Sequence, residues 1–113
     1  MARRAAKVDS NQAEIMQALR KAGASVQPLH GVGMGCPDLL VGFRGANLLM
    51  EIKDGDKVPS AQKLTSWQEK WHRVWCGQAC VVTSAEDALA VLTANEKGPK
   101  LFEQPRSSNQ TQL

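Results

Sequence analysis

Residues 37–53 read PDLLVGFRGANLLMEIK, and this stretch decides the fold. Asp38 opens an apolar run at 39–43, and a second run follows at 48–53. Between them, Arg44, Gly45, Ala46 and Asn47 supply a turn, with glycine free to take the positive φ that tight turns need. The pattern predicts a β-hairpin. Side chains alternate along a strand, so Glu51 and Lys53 share one face and Ile52 points to the other. Two carboxylates and one ammonium therefore gather at one edge of an apolar hairpin, where charged groups need a partner or a metal.

Working outward, residues 10–22 show Ile15, Met16 and Leu19 on one helical face, with Gly23 as the stop. Asp9 or Ser10 is the expected cap, Asp9 with Gln12 fitting a capping box. Residues 24–30 (ASVQPLH) read as a strand in which Pro28 favours a sheet edge or a bulge. Gly31, Gly33 and Gly35 follow, but no helix comes next, so a P-loop is excluded. These glycines suit a backbone that passes close to a ligand or to the charged edge.

Residues 54–63 form a polar loop, and a second helix is expected over 60–75 with Pro59 near its start. Trp67, Trp71 and Trp75 recur every fourth residue as one stripe. Trp71 and Trp75 are expected against the sheet, and Trp67 half exposed, at a subunit contact or stacked on a base. Gln68 and His72 stand one turn apart on a neighbouring face. Residues 79–83 (ACVVT) read as a short central strand. Ser84 caps a last helix over 85–94, with Ala88, Leu89, Val91 and Leu92 on its buried side.

The whole chain sets bounds on these readings. Its 113 residues suffice for one domain with a modest core, and 42% hydrophobic against 22% charged residues is ordinary for a globular protein. The division expected is a basic arm at 1–8 (Arg3, Arg4, Lys7), a domain at 9–96 and a polar tail at 97–113. No apolar run approaches the ~20 residues of a membrane span. No secretory h-region opens the chain, and three cysteines fit a reducing compartment, so a cytoplasmic location is expected. Cys36, Cys76 and Cys80 lack zinc-ligand spacing. A net charge of +3 permits nucleic-acid binding without requiring it.

The spacing PD, apolar strand, E-x-K resembles the signature of the PD-(D/E)XK nuclease superfamily. The likeness extends through GVGMGCPDLLVGFRGANLLMEIKDGDKVPS, then KLT, Gln68, His72 and WCGQACVVTSAEDAL, to the small phage and bacterial nucleases of the VRR-NUC group. It covers roughly residues 13–92. The resemblance implies an α/β fold, a restriction-endonuclease-like αβββαβ core with a mixed sheet flanked by helices. The order of elements read from periodicity agrees. It further implies a metal-dependent DNA endonuclease that leaves a 5′-phosphate and a 3′-hydroxyl. The catalytic set carried over is Asp38, Glu51, Lys53, Gln68 and Glu14.

Carboxylates suit Mg²⁺ or Mn²⁺. Asp38, Glu51 and the Ile52 carbonyl are the expected metal oxygens, with Glu14 a fourth. Lys53 positions water or offsets charge. Lys57, Lys63, His30 and Arg44 are candidate nucleic-acid contacts, each otherwise explained as solvated surface or a local hydrogen-bonding residue. The small size points to a homodimer, and the resemblance to nucleases of this size implies branched DNA such as a Holliday junction as substrate. The alternatives are a nuclease of the same chemistry without branch selectivity, and a catalytically silent DNA-binding module.

Overall fold

The hairpin forms in the computed structural model, which describes residues 10–97. The arm at 1–8, the candidate cap Asp9 and positions 98–113 of the expected tail lie outside the described residues, while Lys97 belongs to α3. The two hairpin strands are β2 (Leu39–Phe43) and β3 (Ala46–Ile52). They pair antiparallel from Leu39↔Met50 to Phe43↔Ala46. Only Arg44 and Gly45 remain in the turn, both at positive φ (52° and 84°), the twist a two-residue hairpin requires. Ala46 and Asn47, expected in the turn, instead pair with Phe43 and Gly42.

Around the hairpin stand α1 (Gln12–Lys21), β1 (Ser25–Pro28), a 3₁₀ turn (Pro59–Gln62), α2 (Ser66–Val74), β4 (Ala79–Val82) and α3 (Ala85–Lys97). The sheet order is β1-β2-β3-β4. β1 is antiparallel to β2 at one edge, where Pro28 is tolerated. β4 runs parallel to β3 at the other edge. The expectation of a central β4 is thus corrected: β3 already pairs with β2, and β4 has one neighbour among the described strands. Among the described residues no helix is long and apolar enough to cross a membrane.

One face of the sheet carries the core. Leu39, Val41, Leu48, Met50, Ile52 and Val82 pack with Ile15 and Leu19 of α1 and Ala88 and Leu92 of α3. Burying a large apolar side chain of this kind contributes about 1.5–3 kcal/mol. Leu89 and Val91 are partly buried against the same cluster. Gly23, at φ 102°, closes α1 with a Schellman pair, Ala24 N–H to Leu19 O and Gly23 N–H to Arg20 O, each 3.0 Å. Ser84 caps α3 by accepting from Asp87 N–H at 3.0 Å.

Two helix starts differ from expectation. The N-cap of α1 is Asn11, not Ser10, and its side chain makes no capping bond. Its amide reaches across to Lys53 O (3.4 Å) and Thr83 O (3.2 Å), tying α1 to the ends of β3 and β4. The second helix begins at Ser66, not residue 60, because Lys63 is extended (φ −75°, ψ 150°) and Thr65 forms a full capping box with Gln68. Pro59 instead starts the 3₁₀ turn. No residue of α2 is buried. Trp71 and Trp75 stack on each other, centroids 4.5 Å apart, rather than entering the core, and Trp75 stays 46% exposed.

Candidate active site

Strand alternation places the charged residues on the face opposite the core. One step beyond the Leu39↔Met50 pair, the register carries Asp38 to a position opposite Glu51. The β1–β2 ladder also continues through Asp38, whose carbonyl accepts from Leu29 N–H at 2.8 Å. The Asp38 carboxylate is oriented by the Ile52 N–H, which donates to its Oδ2 at 2.7 Å. Glu51 is 1% exposed and Lys53 9%, unusual burial for charged side chains.

Gln68 resolves that burial. Its Nε2 donates to Glu51 Oε2 at 3.0 Å, and its Oε1 accepts from Lys53 Nζ at 2.8 Å. The same Oε1 accepts from Thr65 N–H at 2.9 Å, while Gln68 N–H donates to Thr65 Oγ1 at 3.2 Å. One amide thus closes the cap of α2 and bridges the carboxylate and ammonium of β3. Charge-assisted bonds of this kind are stronger than neutral ones and fix the geometry of both partners. Nearby, burial and the charges of Glu51 and then Asp38 push the Cys36 thiol upward, so the thiol and both carboxylates share one electrostatic neighbourhood.

The structure therefore brings Asp38, Glu51, Lys53 and Gln68 together. The Ile52 carbonyl belongs to the same strand end. Two carboxylates and a backbone carbonyl form a hard-oxygen donor set that fits a hydrated Mg²⁺ or Mn²⁺, since such ions keep several waters. Glu14 is not brought to this set. Ile15 and Leu19 take the sheet-facing positions of α1, which leaves Glu14 exposed. Among the described residues no three His, Cys, Asp or Glu side chains converge as a metal cluster. Asp54, next to Lys53, is engaged elsewhere. Asp56 N–H and Ser10 Oγ donate to its carboxylate, at 2.9 and 3.0 Å, and hold its pKa below the usual range.

The candidate DNA contacts divide. Arg44 sits in the hairpin turn, at the far end of β2 from Asp38, with its guanidinium 5.3 Å from the Phe43 ring centroid. Five strand residues at about 3.3 Å each separate it from the carboxylates. Lys57 and Lys63 are exposed in the loop between β3 and α2. His30 lines an open cleft of about 460 Å³ whose wall includes Asp38 and Gln68.

Two contributors, Thr65 and Asn11, escaped the reading of the sequence. Thr65 positions Gln68, and the T-x-x-Q capping signature at 65–68 was the available signal. Asn11 ties α1 to Lys53 by its side-chain amide, which no local pattern announces. The glycine-rich segment packs against the start of α2. A Cβ on Gly35, itself at φ 83°, would run into the Trp67 carbonyl and come within 3.1 Å of Gln68 N.

No protein-family profile and no curated protein matches the chain. A solved structure titled "VRR_NUC domain" does: identity is 21%, the TM-score is 0.56, and the match covers 75% of this chain and 97% of that one. At that identity the likeness concerns architecture. This chain has a fold like that of the VRR_NUC domain, an α/β core with a four-stranded mixed sheet flanked by helices.

Proposed function

We propose that this protein is a metal-dependent DNA endonuclease. The observation that carries the reading is the linked set on one sheet face: Asp38 opposite Glu51, with Gln68 bridging Glu51 to Lys53. Similarity to a structure titled as a VRR_NUC domain supports it, as does the order of the sequence motif.

Asp38, Glu51 and the Ile52 carbonyl would hold Mg²⁺ or Mn²⁺. When bound, the ion polarises a phosphoryl oxygen and lowers the pKa of water. The protein's own groups do the rest. The Ile52 N–H fixes the Asp38 carboxylate so that its orientation need not be found during reaction. Gln68 holds the Lys53 ammonium 2.8 Å from its amide oxygen, so the positive charge is directed at the site. That charge offsets the negative charge growing on the phosphate. Attack of a water oxygen on phosphorus, with rupture of the P–O3′ bond, gives the 5′-phosphate and 3′-hydroxyl that the family resemblance implies.

The preferred substrate in this reading is branched DNA, cut by a homodimer. Leu40 and Val81, 36% and 38% exposed, and Trp75 and Val74, 46% and 60% exposed, offer apolar area that a second copy would cover.

The test compares a four-way junction with linear duplexes of the same sequences, in Mg²⁺, Mn²⁺ or chelator. Expected are metal-dependent cleavage, faster on the junction, and its loss in Glu51→Ala and Lys53→Ala proteins that remain folded. Equal rates on both substrates support the same chemistry without branch selectivity. Binding without cleavage in either metal supports a silent DNA-binding module and rejects the enzyme.

A further inference from the structure

The cleft of about 460 Å³ is shared between the candidate site and residues that take no part in the chemistry above. Asp38 and Gln68 form one wall. Gly31, Met34, Gly35 and Trp67 form the rest of the lining that matters here. Its volume falls within the ~300–1,000 Å³ typical of small-ligand pockets. Trp67 is 59% exposed and Met34 74%, and neither belongs to the apolar core.

Three features keep these groups in place. Gly31, Gly33, Met34 and Gly35 all adopt positive φ (95°, 80°, 58° and 83°), which folds the segment tightly. Gly35 packs so closely on the Trp67 and Gln68 backbone that no side chain fits between them. The Thr65 capping box then fixes the first turn of α2, on which Trp67 stands one residue before Gln68. The backbone that carries the indole is thus fixed, and Trp67 lines the same cleft as Asp38 and Gln68 without contributing to the core.

We infer that this cleft receives one unpaired nucleobase next to the phosphate being cut, with the Trp67 indole as its stacking surface and Met34 as its apolar edge. The inference rests on the nuclease reading and names the feature of the substrate that the site selects. A nucleobase in a continuous duplex has both faces covered by its neighbours and cannot lie on the indole. A nucleotide at a branch, gap or single strand can. Base–aromatic stacking is strong enough to select between them, and every base has a π-face, so the selection follows structure rather than sequence.

The test measures anisotropy of labelled single strands with the full chain in chelator, which blocks turnover. A short oligodeoxynucleotide is compared with an abasic phosphodiester chain of equal length. The wild type is expected to bind the oligodeoxynucleotide about 5- to 100-fold more tightly. Trp67→Ala removes most of that ratio and leaves binding of the abasic chain unchanged. Trp67→Phe keeps most of it. Equal binding of both chains by the wild type, or an unchanged ratio in Trp67→Ala, overturns the inference. If metal-dependent cleavage persists in that case, the nuclease reading stands alone. If base-selective binding is present without cleavage in any metal, the nuclease reading fails and the base pocket stands.

Discussion

The two faces of the sheet are built from the same strands, one residue out of step, and they have opposite characters. Along β3, Leu48, Met50 and Ile52 turn toward α1 and α3 and are 6%, 0% and 1% exposed. Leu49, Glu51 and then Lys53 turn the other way, where α2 contributes no buried residue and joins the sheet through the Gln68 amide. The first face is closed chiefly by apolar contact, with the Asn11 amide tying α1 to the strand ends. The second leaves Leu40 and Val81 partly open and buries a carboxylate and an ammonium that the Gln68 amide bridges. Stability and the proposed chemistry are therefore separated by the alternation of a strand, and substitutions on the two faces should fail in different ways.

The largest separation is expected at Glu51. Glu51→Gln should lower cleavage by roughly 10²–10³-fold, as removal of a charge-organising group does. Its melting temperature should stay at or above that of the wild type, because a buried charge is removed and the volume kept. Paired rate and thermal-unfolding measurements check this, and a collapse in stability would merge the two faces. On the core face, Leu19→Ala should cost about 2–5 kcal/mol by denaturant unfolding, since Leu19 is fully buried. Its cleavage rate per folded molecule should match the wild type.

Thr65 lies where the two roles meet. Thr65→Ala should cost about 1 kcal/mol for the lost cap. It should also reduce cleavage, to a level between the wild type and Gln68→Ala, by loosening the amide. Thr65→Ser should restore both quantities. The smallest effect concerns His72, one turn beyond Gln68, whose Nε2 is buried without a hydrogen-bond partner among the described residues. Burial lowers its pKa from 6.5. The unfolded chain then takes up the proton first. His72 therefore has no effect on stability well above pH 6.5, and it destabilises progressively as pH falls through that value toward the folded pKa. His72→Gln should flatten this part of the melting temperature–pH curve.

These contrasts also show where the sequence was informative. The hairpin was legible because period-two alternation and a Gly-containing turn agree with each other, and Asp38, Glu51 and Lys53 inherit their placement from it. Gln68 was singled out by its place after E-x-K, but its role as a bridge depends on a helix rotation that only packing sets. The tryptophan spacing suggests three rings along one stripe, and the structure shows Trp71 with Trp75 and Trp67 apart at the cleft. Spacing alone does not say whether a stripe meets a covered sheet face, and here Trp71 and Trp75 cover each other instead. Glu14 shows the same limit. A position beside Ile15 is close to the sheet in sequence, yet 100° around a helix is enough to leave it exposed. The apolar run of β4 suggests a central strand, yet an edge strand with one buried face carries such a run equally well.

The account depends on Asp38 and Glu51 acting together on one divalent ion. Titration of the wild-type protein with Mn²⁺, followed by the loss of the free-ion electron paramagnetic resonance signal, tests this without reference to turnover. Saturable binding should be found in the wild type and weakened at least tenfold, by about 1.4 kcal/mol, in both Asp38→Asn and Glu51→Gln, with Glu14→Gln unchanged. Binding that survives both carboxylate substitutions, or that depends on Glu14 instead, would contradict it.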